Sequence, residues 1–346
     1  MFSDHIRPRG LIVVLVLLLS AGCASRHPGV EAYVSRSGIP PALELRDTPF
    51  FPQEEYQCGP AALATVLAAT DVPVEPQELT GKIYLPGRQG SLQLELIAAS
   101  RRYARLPYVL DRELSALLDE LAAGRPVLVM QNLGLASYPV WHYAVVIGFD
   151  AARDELILRS GEHRRHTMST RRFLRAWELA DYWALVVLRP GEVPAAVDET
   201  RYVGGIAKLE AAGQSEAAAV FYRTALSLWP ENTLALFGMG NTHYAQGNRE
   251  AAEAAYQRLL QASPGHAAAR NNLALLLAER GCRAAALAEL EAALAAVNQG
   301  DPMRRRLLET RGEILNAEAA AVDAATSCPA NAPSPRSAVG ARQVIR

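Results

Sequence analysis

Apolar and polar positions fall into three regimes along the chain. The first is an unbroken apolar run, Leu11 to Leu19, preceded by Arg7 and Arg9 and followed by Ser20-Ala21-Gly22-Cys23. The second, from Leu45 to Pro190, mixes two periods. Pro60 to Ala69 is almost wholly apolar or small and predicts a buried helix, with Pro60 in the first turn, where its missing N–H costs nothing. Leu92 to Arg102 predicts a second helix, with Leu92, Leu96 and Ala99 on one face. Leu114 to Ala123, stopped by Gly124, predicts a third. Pro126 to Met130, Tyr143 to Phe149, Glu155 to Arg159 and Tyr182 to Leu188 then read as strands. Helices first and an antiparallel sheet second is an α+β arrangement.

The third regime, from Arg201, is alanine-rich and helical, and it repeats. Gly213, Gly247 and Gly281 are each 34 residues apart, as are Ala218, Ala252 and Ala286. Tyr222, Tyr256 and Leu290 keep the period, as do Ala225, Leu259 and Ala293, and Pro230 with Pro264. The pattern resembles the tetratricopeptide repeat, with small residues where paired helices cross and a proline near each unit boundary. The match is strongest over Thr233 to His266. Three units are near the minimum for a stable stack, so the array is expected to lean on the preceding domain. Such arrays offer a concave surface for a protein partner. The expected division is 1–23 leader, 24–44 tether, 45–190 mixed domain, 199–321 helical repeats with a capping helix from Met303, and 322–346 a disordered proline-containing tail.

The leader changes where the chemistry is placed. Its run is too short for a comfortable membrane span, which needs about 20 residues. The small residues before Cys23 suit signal-peptide processing and lipid attachment to that thiol. The position three before Cys23 is Ser20 rather than the usual large aliphatic residue. Lipidation at Cys23 would anchor the protein in a bacterial cell envelope. Ala24 after it, by the sorting rule of bacterial lipoproteins, favours an outer membrane with the domains facing the periplasm. The net charge of −1 gives no electrostatic case for nucleic acid. Four cysteines are too few for a disulfide scaffold. Cys282 and Cys328 are left as a pair that an oxidising compartment could join, a point the sequence leaves open.

The candidate chemistry centres on Cys58, where the polar loop Gln53 to Gln57 turns into the first apolar helix. Helix N-terminal N–H groups and a neighbouring imidazolium both lower a thiol's pKa. Gly59 leaves room for a substrate backbone. The Gln53 side-chain amide and the Cys58 N–H form a natural donor pair for a developing oxyanion, where one donor contributes about 3 kcal/mol. Gln57 adjoins the nucleophile and is expected to shape the turn. His142 opens the strand-like run Tyr143 to Phe149 and is the candidate base. His163 and His166 fall in a polar stretch expected to be an exposed loop. No further ligands stand with Cys58 and His142 at metal-site spacing, so neither a metal nor another cofactor is expected.

Gln53, Cys58-Gly59-Pro60-Ala61-Ala62 and His142-Tyr143-Ala144-Val145-Val146-Ile147-Gly148 resemble the papain-like fold in its bacterial double-glycine branch, peptidase family C39. With the leader and the repeats, the chain is similar to bacterial lipoproteins that join a C39-family cysteine peptidase to tetratricopeptide repeats. The resemblance implies a papain-like α+β peptidase domain followed by an all-α repeat domain. It also implies metal-free, thiol-dependent cleavage of a protein or peptide substrate. Double-glycine leader substrates do not follow, because those are cut by domains fused to exporters. The family places an Asp at the end of the strand after the histidine strand, and here Ser160 stands there. A hairpin near Ala151 to Asp154 would bring Ser160 to Glu162 opposite His142. Ser160 is the first candidate to orient the imidazole, then Glu162, then Asp150 at the far end of the histidine strand. A neutral orienting group stabilises imidazolium less than a carboxylate. The rival to a working peptidase is therefore a scaffold lipoprotein whose peptidase-like domain only binds peptides.

Overall fold

The structure, a computed structural model, describes residues 29–53, 57–88, 90–316 and 328. The N-terminal domain is mixed α+β, built on one seven-stranded sheet. Its strands are β1 (Ala42–Glu44), β2 (Leu106–Val109), β3 (Val127–Asn132), β4 (Trp141–Asp150), β5 (Glu155–Ser160), β6 (His163–Ser169) and β7 (Ala184–Leu188). The order is β2-β7-β3-β4-β5-β6, with β1 pairing the far half of β4. Each pairing is antiparallel.

β4 lies at the centre, and its alternating side chains serve two cores. Tyr143, Val145 and Ile147 face the helices α2 (Cys58–Ala68), α3 (Pro76–Ile83) and α4 (Gln93–Arg102). Ala144 and Val146 face the other way, toward α1 (Val30–Ser37), α5 (Leu114–Ala122) and α6 (Thr170–Glu178). A strand buried on both faces is uniformly apolar, which is why β4 is so legible in sequence. α2 is buried from Gly59 through Leu67, so it is held from all sides rather than along one stripe.

Several elements depart from the sequence pattern. Residues 30–44, assigned above to the tether, hold α1 and β1. Val30 is fully buried, Tyr33 and Val34 pack on the same core, and β1 completes the edge of β4. The polar stretch after Gly161 is not a loop but β6, followed by α6, whose Phe173, Leu174 and Trp177 are buried. Residues 1–28, with Cys23, lie outside the described residues. The expected tail also falls outside them except at Cys328.

The second domain is all α-helical: α7 (Glu199–Ala211), α8 (Ser215–Leu228), α9 (Thr233–Ala245), α10 (Arg249–Ala262), α11 (Ala267–Glu279), α12 (Arg283–Ala296) and α13 (Pro302–Asn316). The 34-residue period has a physical origin. Gly213, Gly247 and Gly281 have φ of 83°, 77° and 84°, a left-handed turn between paired helices that favours glycine. Ala218, Ala252 and Ala286 are fully buried at the crossings.

The array does lean on the sheet domain. Tyr202, Val203, Ile206, Phe221 and Tyr222 belong to the same continuous core as Leu106, Val129 and Trp177. Arg201 donates to the Val109 carbonyl at 3.0 Å and to Asp111 at 2.7 Å. At the other end of the array, Cys282 and Cys328 form a disulfide across 46 residues. Closing a loop of that length removes unfolded-state entropy corresponding to about 4 kcal/mol. Cys328→Ser is therefore expected to lower the stability of the full chain by up to about 4 kcal/mol. Denaturant unfolding of oxidised wild type, reduced wild type and variant checks this. Identical midpoints in all three would show that the crosslink contributes nothing.

Candidate active site

Cys58 is the first residue of α2. The Gln57 carbonyl accepts from the Ala61 N–H at 3.1 Å, closing the first turn. Gly59 packs so closely on Ser91, ahead of α4, that a Cβ would lie 2.7 Å from the Ser91 side chain. The thiol is free and half-buried.

The peptide edge of Tyr143 holds the site together. β5 pairs with β4 as far as Arg159 opposite Val145, and at Gly161, with φ of 60°, the chain turns away. The backbone of Tyr143 therefore faces a gap. Its carbonyl accepts from Gln53 Nε2 at 3.2 Å, and its N–H is near enough to the Cys58 sulfur to favour the thiolate. The Gln53 loop is fixed from several sides. Gln53 N–H donates to Gly161 O at 3.1 Å and Leu45 N–H to Ile147 O at 2.8 Å. The buried Arg159 donates to the carbonyls of Arg46 and Thr48, both at 2.9 Å. The Gln53 amide has two N–H donors, so one remains after the Tyr143 bond. That leaves Gln53 and the helix start able to address an oxyanion beside Cys58.

His142 precedes Tyr143 and lies opposite Gln131 on β3. The β4–β5 register puts Ser160 diagonally across the same face, and His142 Nε2 is 2.9 Å from Ser160 Oγ. The hairpin thus brings the first of the three candidate orienting residues to the imidazole. It does not bring the others. Glu162 is exposed in the turn, cut off by Gly161. Asp150, at the far end of β4, accepts from the Arg153 N–H at 3.2 Å across the hairpin turn.

Burial, reinforced by the neighbouring His166, lowers the His142 pKa to about 4. Burial also raises the Cys58 thiol, against the opposing pull of N–H groups from Tyr143, Gly59 and Cys58 itself. No hydrogen bond joins Cys58 to His142. The resting groups at neutral pH are a thiol and a neutral imidazole, and moving a proton between them is uphill. Among the described residues no cluster of His, Cys, Asp and Glu could hold a metal.

Two features escaped the sequence reading. Gln131, buried and opposite His142 on β3, reads in sequence as one polar residue in an apolar strand. His166 reaches the site because β6 forms. The rim beside His142 is apolar: Leu133, Leu135, Tyr138, Val140 and Trp141 are exposed, Tyr138 by 78%, and residues 132–141 carry no charge. Leu94, three residues beyond Ser91, is 72% exposed.

Residues 45–184 match the Peptidase_C39 like family. Residues 209–260 and 237–302 match two tetratricopeptide-repeat families. The chain joins a C39-like peptidase domain to tetratricopeptide repeats. Among solved structures, a C39-like peptidase from Bacillus anthracis aligns at 17% identity with a TM-score of 0.37, covering 43% of this chain and 98% of that one. An O-GlcNAc transferase from Thermobaculum terrenum aligns at 21% identity with a TM-score of 0.31, covering 35% of this chain and 23% of that one. Comparison with the curated proteins finds no match.

The raised thiol in the C39-like domain sets its pH dependence. Thiolate is scarce at neutral pH and grows as pH rises toward and past the ordinary thiol range. Alkylation of Cys58 by iodoacetamide is expected to climb about tenfold per pH unit below that range, with no neutral plateau. A flat, fast rate between pH 5 and 8 would instead indicate a preformed thiolate–imidazolium pair.

Proposed function

We propose that the C39-like domain is a peptide-binding module with weak thiol-peptidase chemistry, and that the repeats bring it a protein partner. The observation that carries this reading is the group on His142 Nε2: a serine hydroxyl at 2.9 Å, where a carboxylate would stabilise imidazolium. A hydroxyl fixes the ring but adds no negative charge. With the imidazole near pKa 4 and the thiol raised, the pair lacks the drive to ionise unaided. The uncharged apolar rim supports the binding role, since it offers surface to the side chains of an extended peptide.

A second reading, an efficient cysteine peptidase, is favoured by the convergence of Gln53 and Cys58 on one peptide edge with His142 next to it. In that reading His142 takes the thiol proton, Cys58 attacks the peptide carbonyl, and Gln53 with the Cys58 N–H holds the oxyanion. His142 then protonates the leaving amine, and water releases the acyl group.

We further propose lipid attachment at Cys23 and residence in a bacterial cell envelope, with the domains in the periplasm. The Cys282–Cys328 disulfide supports an oxidising compartment.

Intact-mass analysis with a peptide carrying a thiol-selective electrophile tests the reading. Wild type is expected to label no faster than an ordinary thiol, while Cys58→Ser still binds the parent peptide. Ser160→Asp supplies the missing charge and is expected to speed labelling at least about tenfold, since a carboxylate beside an imidazole raises its pKa by 1 to 3 units. Fast labelling of wild type that collapses in His142→Ala would establish the efficient peptidase instead.

A further inference from the structure

The charge of the C39-like domain is unevenly spread. Residues 163–175 hold Arg164, Arg165, Arg171, Arg172 and Arg175, with His163 and His166, and no acidic residue. They form the edge strand β6 and the first two turns of α6. Arg165 is paired with Glu44 at 3.0 Å. Arg164, Arg171, Arg172 and Arg175 are exposed and, among the described residues, make no ion pair.

Local stability accounts for Arg175, a cation in the last turn of α6, but not for Arg171 and Arg172. Arg171 and Arg172 occupy the first turn of α6, where the helix dipole already presents positive charge, and that turn has no acidic residue. Arg175 lies four residues from Arg171 and three from Arg172, so the like charges share one face. A concentrated positive field of this kind is relieved by an anionic surface.

The path of the chain says which surface. Asp154 Oδ1 accepts from the Val30 N–H at 3.2 Å, where the described chain begins. The Asp154 carbonyl accepts from the Thr170 N–H at 2.8 Å and the Thr170 hydroxyl at 3.0 Å, at the start of α6. The arriving chain and Thr170, the residue before the two leading arginines, therefore meet on one residue. Only residues 24 to 29 separate Cys23 from Val30. Even fully extended, that stretch reaches about 25 Å. A lipid on Cys23 would hold a bilayer within that distance of Val30, beside the start of α6.

We propose that Arg171, Arg172 and Arg175, at the end of the sheet where Glu155 pairs Ser169, dock on the headgroups of an anionic phospholipid surface. The lipid and the basic face would then fix the orientation of the domain as two separate contacts. This rests on the reading of Cys23 as a lipidation site. His142 is near the start of the ten-residue strand β4, whereas the arriving chain meets Asp154 beyond its end, so such docking would leave Cys58 and His142 facing away from the bilayer.

The test uses the full chain purified from bacterial membranes and reconstituted into vesicles. One set is phosphatidylcholine alone, and the other an equal mixture with phosphatidylglycerol. Phenylglyoxal modification read by mass spectrometry reports each arginine. Arg171, Arg172 and Arg175 are expected to react several-fold more slowly on the anionic vesicles, and high salt should restore their reactivity. Arg258 and Arg305 in the repeats should react equally on both. Equal reactivity of the α6 arginines on the two vesicle types would overturn the proposal. So would their protection in solution by an acidic polypeptide but not by anionic vesicles. Flotation with phosphatidylcholine vesicles and the mass at Cys23 report the lipid anchor separately, so loss of the anchor is distinguishable from loss of docking.

Discussion

The candidate site depends on one unpaired stretch of backbone. Because β5 turns away at Gly161, the Tyr143 peptide is left with its N–H and carbonyl facing a gap. A buried backbone group without a partner costs free energy comparable to a lost hydrogen bond. Here the carbonyl is paired by the Gln53 amide from a loop far away in sequence, and the N–H is turned toward the Cys58 sulfur at a helix start, where it favours the thiolate. Satisfying Tyr143 therefore assembles the site. It seats the thiol beside the strand that carries His142 and sets the glutamine next to both.

The same burial that makes the assembly rigid works against its chemistry. Burial disfavours both thiolate and imidazolium, and among the described residues no carboxylate acts on His142 to offset it. His166 adds a further penalty to protonating His142. The structure thus holds Cys58 and His142 in a neutral ground state. In this account the identity of residue 160 decides whether the fold acts mainly as a binder or as a catalyst.

Much of this was legible in the chain, for identifiable reasons. β4 and α2 are buried from all sides and so are almost purely apolar, and Cys58 sits visibly where polar turns to apolar. The glycine spacing of the repeats is visible because each glycine answers a left-handed turn. Counting along the hairpin gave only the range Ser160 to Glu162 opposite His142, and Ser160 came first because it stands where the resembling family has its Asp. The misses are equally physical. β6 is an edge strand that turns only His166 and Met168 inward, so its arginines read as loop. α1 was hidden by neighbouring glycines and prolines, although Val30, Tyr33 and Val34 share a helical face. The role of Tyr143 lies in its backbone, which no side-chain pattern records.

The ionisation of His142 is the most direct measure of this account. Nuclear magnetic resonance of the ring nitrogens in the full chain, labelled at histidine and followed through pH, reads it without reference to any substrate. The account predicts a ring that stays neutral down to about pH 4 and is unchanged in Cys58→Ser. A ring still protonated at pH 7 that becomes neutral when Cys58 is replaced would contradict it, because that is the signature of an ion pair already formed.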